Sequence, residues 1–190
     1  MEEKKLYVYI MLSRKKDNQN VTGFHERAKT MVMYQDDEED VYREFRDFAN
    51  KGKLGEVTRL YRTVNARDEE QCRNQLIMRL LNHAPLPDMR ATLASVCQQV
   101  ECKAENKWLV DFDSKNESVL EDVIDYISKF TPCKKHPTPN GYAIITDRGF
   151  DTREFFEMFA SISYIEIKKD ALLYLDQIQC VWQNDEEVRR

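Results

Sequence analysis

The sequence predicts an α+β protein with a mixed sheet of about six to seven strands and flanking helices. Three observations predict it. Segments rich in β-branched and aromatic residues interleave with segments whose apolar residues recur at helical spacing. The composition is globular, at 42% apolar and 33% charged, with only five Gly and five Pro. The length of 190 residues suits one substantial core. The expected organisation is a single domain over 1–185, with a helical insertion at about 68–104 and a polar tail at 186–190.

Lys5 to Leu12, "KLYVYIML", reads as a strand. After the polar loop "SRKKDNQNVTG", Lys29 to Gln35 reads as a second strand, able to pair antiparallel with the first. Val41, Phe45 and Phe48 lie at helical spacing, and acids crowd the first turn, where the helix dipole favours them. This predicts a helix from about 38 to 50. Glu56 to Asn65 reads as a strand. A helix capped by Asp68 follows, with a stripe of Cys72, Leu76, Ile77, Leu80 and Leu81. The loop "APLPD" leads to a further helix, "MRATLASVCQQVECKAE".

"KWLVDFDSK" (Lys107 to Lys115) alternates Trp108, Val110 and Phe112 with Leu109, Asp111 and Asp113. Residues two apart on a strand point the same way, so one face is apolar and the other ends in two carboxylates. The helix "NESVLEDVIDYISKF" comes next, with Ser118 and Glu121 at capping-box spacing. In "KKHPTPNGYAIIT" the pair Asn140-Gly141 marks a tight turn into a strand. Pro137 and Pro139 predict an irregular loop on the entering side. "DTREFFEMFA" reads as a short helix with Asp151 and Glu154 as a capping box, and "SYIEIKKD" and "ALLYLDQIQCVW" as the last strands. The apolar faces of these elements place Trp108, Val110, Phe112, Val123, Ile127, Ile144, Ile165 and Ile167 in the main core.

The net charge of −5 argues against a protein that coats nucleic acid, and leaves room for a local basic patch or a metal-assisted contact. There is no apolar run long enough to span a membrane. The N-terminal residues lack a signal-peptide layout, and the expected location is cytoplasmic. Five cysteines without a CxxC read as structural thiols of a reducing compartment. Three scattered histidines, His25, His83 and His136, give no zinc spacing.

Three acids stand out. Asp111 and Asp113 share a strand face, and Glu166 shares one with Tyr164, Lys168 and Asp170. Carboxylates so placed on neighbouring strands suit Mg²⁺ or Mn²⁺, which prefer oxygen ligands. Solvated acids paired with Lys107, Lys115 and Lys168 are the plainer alternative. Arg59 would share a face with Tyr61, and Arg62 the other face with Leu60 and Val64; an arginine fork there matches a phosphate. Lys134, Lys135 and His136 form a cationic loop beside the Asn140-Gly141 turn.

The order "WLVDFD", helix, "TPNGYAIIT", "YIEIKKDALLYL" resembles the catalytic core of the archaeo-eukaryotic primase superfamily, in particular the small primase-polymerases of phages and plasmids. The resemblance covers about Lys107 to Leu175 and implies a primase-like (RRM-like) core. It implies that Asp111, Asp113 and Glu166 are catalytic and bind Mg²⁺ or Mn²⁺. It also implies phosphate or nucleotide contacts near Lys168, Asn140, Gly141 and Tyr142, with Arg62 added from its strand. The second motif departs from the family. Its histidine would fall at position 143, where this chain has Ala143, and His136 lies seven residues earlier. Three readings follow: a primase-like nucleotidyltransferase, a non-catalytic binding protein on the same scaffold with a nucleic-acid or protein partner, and a metal-dependent nuclease. For the last, an acid plus Glu166-Ile167-Lys168 resembles the D…ExK set of restriction-type nucleases.

Overall fold

The computed structural model describes residues 4–82 and 88–181. The tail expected at 186–190, His83 and most of the "APLPD" loop lie outside the described residues. The fold is α+β, and the expectation of one mixed sheet is corrected. Among the described residues, eight strands divide into two four-stranded sheets, and every strand pair is antiparallel.

The first sheet contains β1 (Leu6–Ser13), β2 (Arg27–Tyr34), β3 (Val57–Thr63) and β8 (Leu172–Gln179), in the order β2-β1-β3-β8. β1 is buried on both faces, as its continuous apolar run requires. Tyr7, Tyr9 and Met11 pack with Val41 and Phe45 of α1 (Glu38–Asn50). Val8 and Ile10 pack with Cys72 of α2 (Glu69–Asn82) and with Val96 and Cys97 of α3 (Met89–Cys97). The helices expected as an insertion thus cover the second face of this sheet. Asp68 caps α2 as expected, its Oδ1 accepting from the Gln71 amide at 2.8 Å.

The second half is built from β4 (Trp108–Phe112), α4 (Glu117–Ser128), β5 (Cys133–Pro137), β6 (Tyr142–Thr146), α5 (Arg153–Met158) and β7 (Ile165–Lys168). Its sheet, the second, runs β5-β6-β4-β7 in space. A chain order βαββαβ with the first strand between the third and the fourth is the split βαβ, or ferredoxin-like, pattern. The expected core forms here. Val110, Phe112, Val123, Ile127 and Ile144 are fully buried, with Trp108, Ile165 and Ile167 packed against them. Burying side chains of this size contributes about 1.5–3 kcal/mol each.

Local expectations differ at three places. Asn116, not Ser118, caps α4, because its Oδ1 reaches the Val119 amide. The helix after Asp151 starts at Arg153, with Thr152 at its N-cap making no side-chain cap. Asp151 Oδ1 accepts from the Arg153 amide at 3.0 Å and also holds the Arg153 side chain, and among the described residues no reciprocal bond from Glu154 completes the expected box. The proline-containing arm is a strand, β5, and it lies at the sheet edge, with Pro137 as its last residue. An edge position needs no proline N–H, so the ladder loses nothing.

Polar residues at 0–4% exposure join the sheets. Asn65 donates to the Lys107 carbonyl and to Asp170 and accepts from the Lys107 amide at 2.7 Å. Arg67 grips Asp170 with two parallel bonds of 3.1 and 3.2 Å. Such forks are the strongest ion pairs by geometry.

Candidate functional site: a charge-divided cleft between the sheets

A cleft of about 550 Å³ opens where the two sheets meet. One wall is the face of the second sheet turned away from α4 and α5. It carries Leu109, Asp111 and Asp113 of β4 and its end, Ala143 of β6, and Glu166 and Lys168 of β7. The other wall is the first sheet, with Arg14 and Lys16 after β1, Arg59 and Tyr61 of β3, and Leu172 and Tyr174 of β8. Thr138, Pro139 and Asn140 of the β5–β6 turn stand at its rim. The lining holds four carboxylates (Asp111, Asp113, Glu166, Asp170) and four cations (Arg14, Lys16, Arg59, Lys168). Asp170 is tied to Arg67, so the remaining acids lie on one wall and three of the cations on the other.

Strand register fixes the acidic wall. Asp111 is paired directly with Glu166 on one side and Ala143 on the other, and Ala143 with His136. Residues directly opposite in an antiparallel pair share a face. His136, Ala143, Asp111 and Glu166 therefore form one row across the sheet. His136 stands two strands from Asp111, roughly 10 Å by strand spacing. Lys168 Nζ lies 2.7 Å from Asp111 Oδ2 and 3.0 Å from Glu166 Oε2. Burial alone would lower the pKa of Lys168, but hydrogen bonds from Asp111 and Glu166 outweigh it and raise the value. Asp113 is exposed just past the end of β4, where its amide donates to the Tyr164 carbonyl at 2.9 Å.

Gly141 shapes the rim by close approach. A Cβ there would sit 2.1 Å from the Phe112 carbonyl oxygen and 2.6 Å from the Ser114 nitrogen. Its φ is not positive, so the turn needs glycine for room, not for the left-handed region expected from Asn-Gly.

Other expected contacts lie elsewhere. Tyr142 packs with the α4 core and donates to Glu117 Oε1 at 3.3 Å. Tyr164, expected beside Glu166, packs edge-on against Phe112 in the core. Arg62 lies over the Tyr7 ring at 4.2 Å, on the face of the first sheet that α1 covers. Arg59, in the alternating position, is the β3 arginine that reaches the cleft.

Of the basic wall, the sequence marked Arg59 with Tyr61 as a phosphate contact, while Arg14 and Lys16 of "SRKK" went unassigned. Asp17 organises it, with Oδ1 2.7 Å from Arg59 Nη2 and Oδ2 2.9 Å from Arg14 Nη2. Arg14 also donates to Tyr61 Oη at 3.0 Å, and Tyr61 meets Tyr174 edge-to-face at 6.0 Å. The Arg59 Nε is buried without a hydrogen-bond partner.

Among the described residues, no group of three His, Cys, Asp or Glu side chains is gathered so as to hold a metal ion. Mg²⁺, however, is commonly held by one or two carboxylates, with water and substrate phosphate completing its shell. The Lys168 ammonium marks a point where two carboxylates, Asp111 and Glu166, already meet around one positive charge. Their oxygen donors suit Mg²⁺ or Mn²⁺ on those terms, with Asp113 two residues on from Asp111, exposed past the strand end. Among the described residues, no helix is long and apolar enough to cross a membrane.

No family model matches the chain, and comparisons with curated proteins and with solved structures also give no match.

Proposed function

We propose that this chain is a primase-like protein of the nucleotidyltransferase type, which binds or acts on nucleotides or nucleic acid through a divalent-cation carboxylate site. The observation that carries the reading is the row Ala143–Asp111–Glu166, set by direct register on the first, third and fourth strands of a βαββαβ sheet. An RRM-like core would have such a βαββαβ order with each motif on its own strand, and this supports the reading. The opposed charges of the cleft support it. A phosphate ligand carrying a divalent cation presents both signs at once, and each wall offers one of them.

In this reading Asp111 and Glu166 hold Mg²⁺ or Mn²⁺, with Asp113 beside them. The cation supplies charge neutralisation at phosphate and activation of the attacking oxygen. Arg59, Arg14 and Lys16 draw the phosphates to the facing wall, where guanidinium forks match their oxygens. Asn140 offers a side-chain amide at the rim. His136 shares the face of the acids and is directly across from Ala143, so the imidazole missing at position 143 has its nearest replacement one strand away.

Two other readings have an observation in their favour. Ala143 carries no phosphate donor, which favours a binding protein on this scaffold, with nucleic acid or another protein as partner. The convergence of Asp111, Glu166 and Lys168 favours a metal-dependent nuclease, whose lysine helps activate water. The βαββαβ order weighs toward the primase-like reading.

Calorimetry with Mn²⁺ and nucleoside triphosphates, followed by primer extension and product analysis, separates the three. The primase-like reading expects metal-dependent triphosphate binding and extension, both lost in Asp111→Asn. Strand cleavage without extension would replace it with the nuclease. Absence of metal and triphosphate binding by the wild type would leave the non-catalytic reading.

A further inference from the structure

Lys168 occupies the point on which two acids of the cleft converge, at 2.7 Å from Asp111 Oδ2 and 3.0 Å from Glu166 Oε2. The two carboxylates belong to directly paired residues of adjacent strands, so the backbone sets them side by side. Of the two acids only Asp111 is well covered, at 28% exposed against 70% for Glu166, and the ammonium too is movable. It rides on a flexible four-carbon stem, and its side chain is 36% exposed, so it has space to leave. One positive charge between two negative ones leaves the group short of neutral. Arg14, Lys16 and Arg59 face it from the other wall.

We propose that Lys168 is a resident counter-ion in the seat of a divalent cation, and that it yields this seat when a phosphate group enters the cleft, so that cation and phosphate bind together. The proposal rests on the reading of the cleft as a metal-dependent phosphate site and adds its order of assembly. A divalent cation arriving alone must expel an ammonium that makes two ion pairs and leave it beside a second, larger positive charge. An arriving phosphate changes both terms. It gives the displaced ammonium a new anionic partner, and it completes the coordination shell of a cation held by only two carboxylates. Each ligand then raises the affinity of the other, and the coupling is reciprocal.

The test is Mn²⁺ binding to the full chain, read by electron paramagnetic resonance of free Mn²⁺. It is run with and without a nucleoside monophosphate, which holds Mn²⁺ only weakly in solution. Wild type is expected to bind Mn²⁺ at least tenfold more tightly when the monophosphate is saturating. Lys168→Met is expected to bind Mn²⁺ alone at least tenfold more tightly than wild type does and to lose most of the enhancement. Lys168→Arg keeps the cation and is expected to keep lone Mn²⁺ binding weak. In a thermal melt, Mn²⁺ alone is expected to raise the midpoint of Lys168→Met more than that of wild type. Equal or weaker Mn²⁺ binding by Lys168→Met overturns the proposal. If that variant does not fold, the wild-type coupling decides: independent binding of Mn²⁺ and monophosphate overturns the counter-ion role and leaves the metal-dependent reading standing. Binding of neither ligand by wild type removes both.

Discussion

At the scale of single residues, the seam between the sheets is a set of buried and half-buried polar groups, most of them paired, with the Arg67 Nε left without a hydrogen bond. Glu105 is its most perturbed member. Burial would raise its pKa, but hydrogen bonds from Lys107, Lys5 and the Ala66 amide outweigh this and bring it down to about 2. A carboxylate whose folded pKa is depressed stabilises the fold above its unfolded pKa, near 4.3, and this contribution fades as pH falls toward the folded value. The contribution is on the order of 2–3 kcal/mol, because one pKa unit corresponds to about 1.4 kcal/mol and the partly exposed lysines are screened. Urea unfolding of wild type between pH 5 and 2 should lose about this much more than Glu105→Gln does. Parallel pH curves for the two proteins would assign the acid sensitivity to other groups. The pairing was hidden in the sequence. Lys107 is two residues from Glu105, but Lys5 arrives from 100 residues away, and no local pattern announces it.

At the scale of elements, the apolar periodicities were legible and the punctuation less so. Trp108, Val110 and Phe112 alternate because one face of β4 receives α4, and Val123 and Ile127, expected in the core from α4, are fully buried there. Ile127→Ala removes a side chain with no exposure and should cost about 2–5 kcal/mol, read from the denaturation midpoint. An unchanged midpoint would remove α4 from the stabilising core. Caps were misread because Asn116 and Ser118 both have the right chemistry, and the geometry of the chain leaving β4 chooses between them. Gly141 was correctly marked as a turn residue, but for a reason that only tertiary approach reveals. Gly141→Ala should push the β5–β6 turn off the end of β4 at about 1–3 kcal/mol, since the obstacles are the Phe112 and Ser114 backbones. It should also weaken ligand binding at the neighbouring Asp111 and Asp113. A variant of wild-type stability would mean that the turn re-seats without strain.

At the scale of the whole molecule, the acidic wall was readable and the cleft was not. Asp111 and Glu166 were marked by strand alternation, a local property. That β4 pairs with both β6 and β7, and that a separate sheet faces them, depends on long-range packing. One mixed sheet was expected because alternation specifies faces and leaves partners open. Yet β3 pairs with β1 and β8, and β4 with β6 and β7, so the strands divide into two sheets, each with its own edge strands. The basic wall follows from this division, and it makes the last prediction. Tyr61 and Tyr174 meet edge-to-face in the cleft lining, with Arg14 over the Tyr61 ring and Arg59 in the same lining, a combination of ring and cation that suits bases and phosphates of an unpaired strand. Base stacking on an aromatic side chain contributes about 1–3 kcal/mol per base, so Tyr61→Ala and Tyr174→Ala should each weaken binding of a labelled single-stranded oligonucleotide by roughly 5- to 150-fold. If two or three of Arg14, Lys16 and Arg59 meet phosphates, the slope of log affinity against log salt should be roughly −1.4 to −2.1. Arg59→Ala should flatten it by about 0.7. The measurement is fluorescence anisotropy in chelator, which isolates this wall from any cation on the other. Undiminished binding in both tyrosine variants, or a salt slope unmoved by Arg59→Ala, would place the strand outside the cleft.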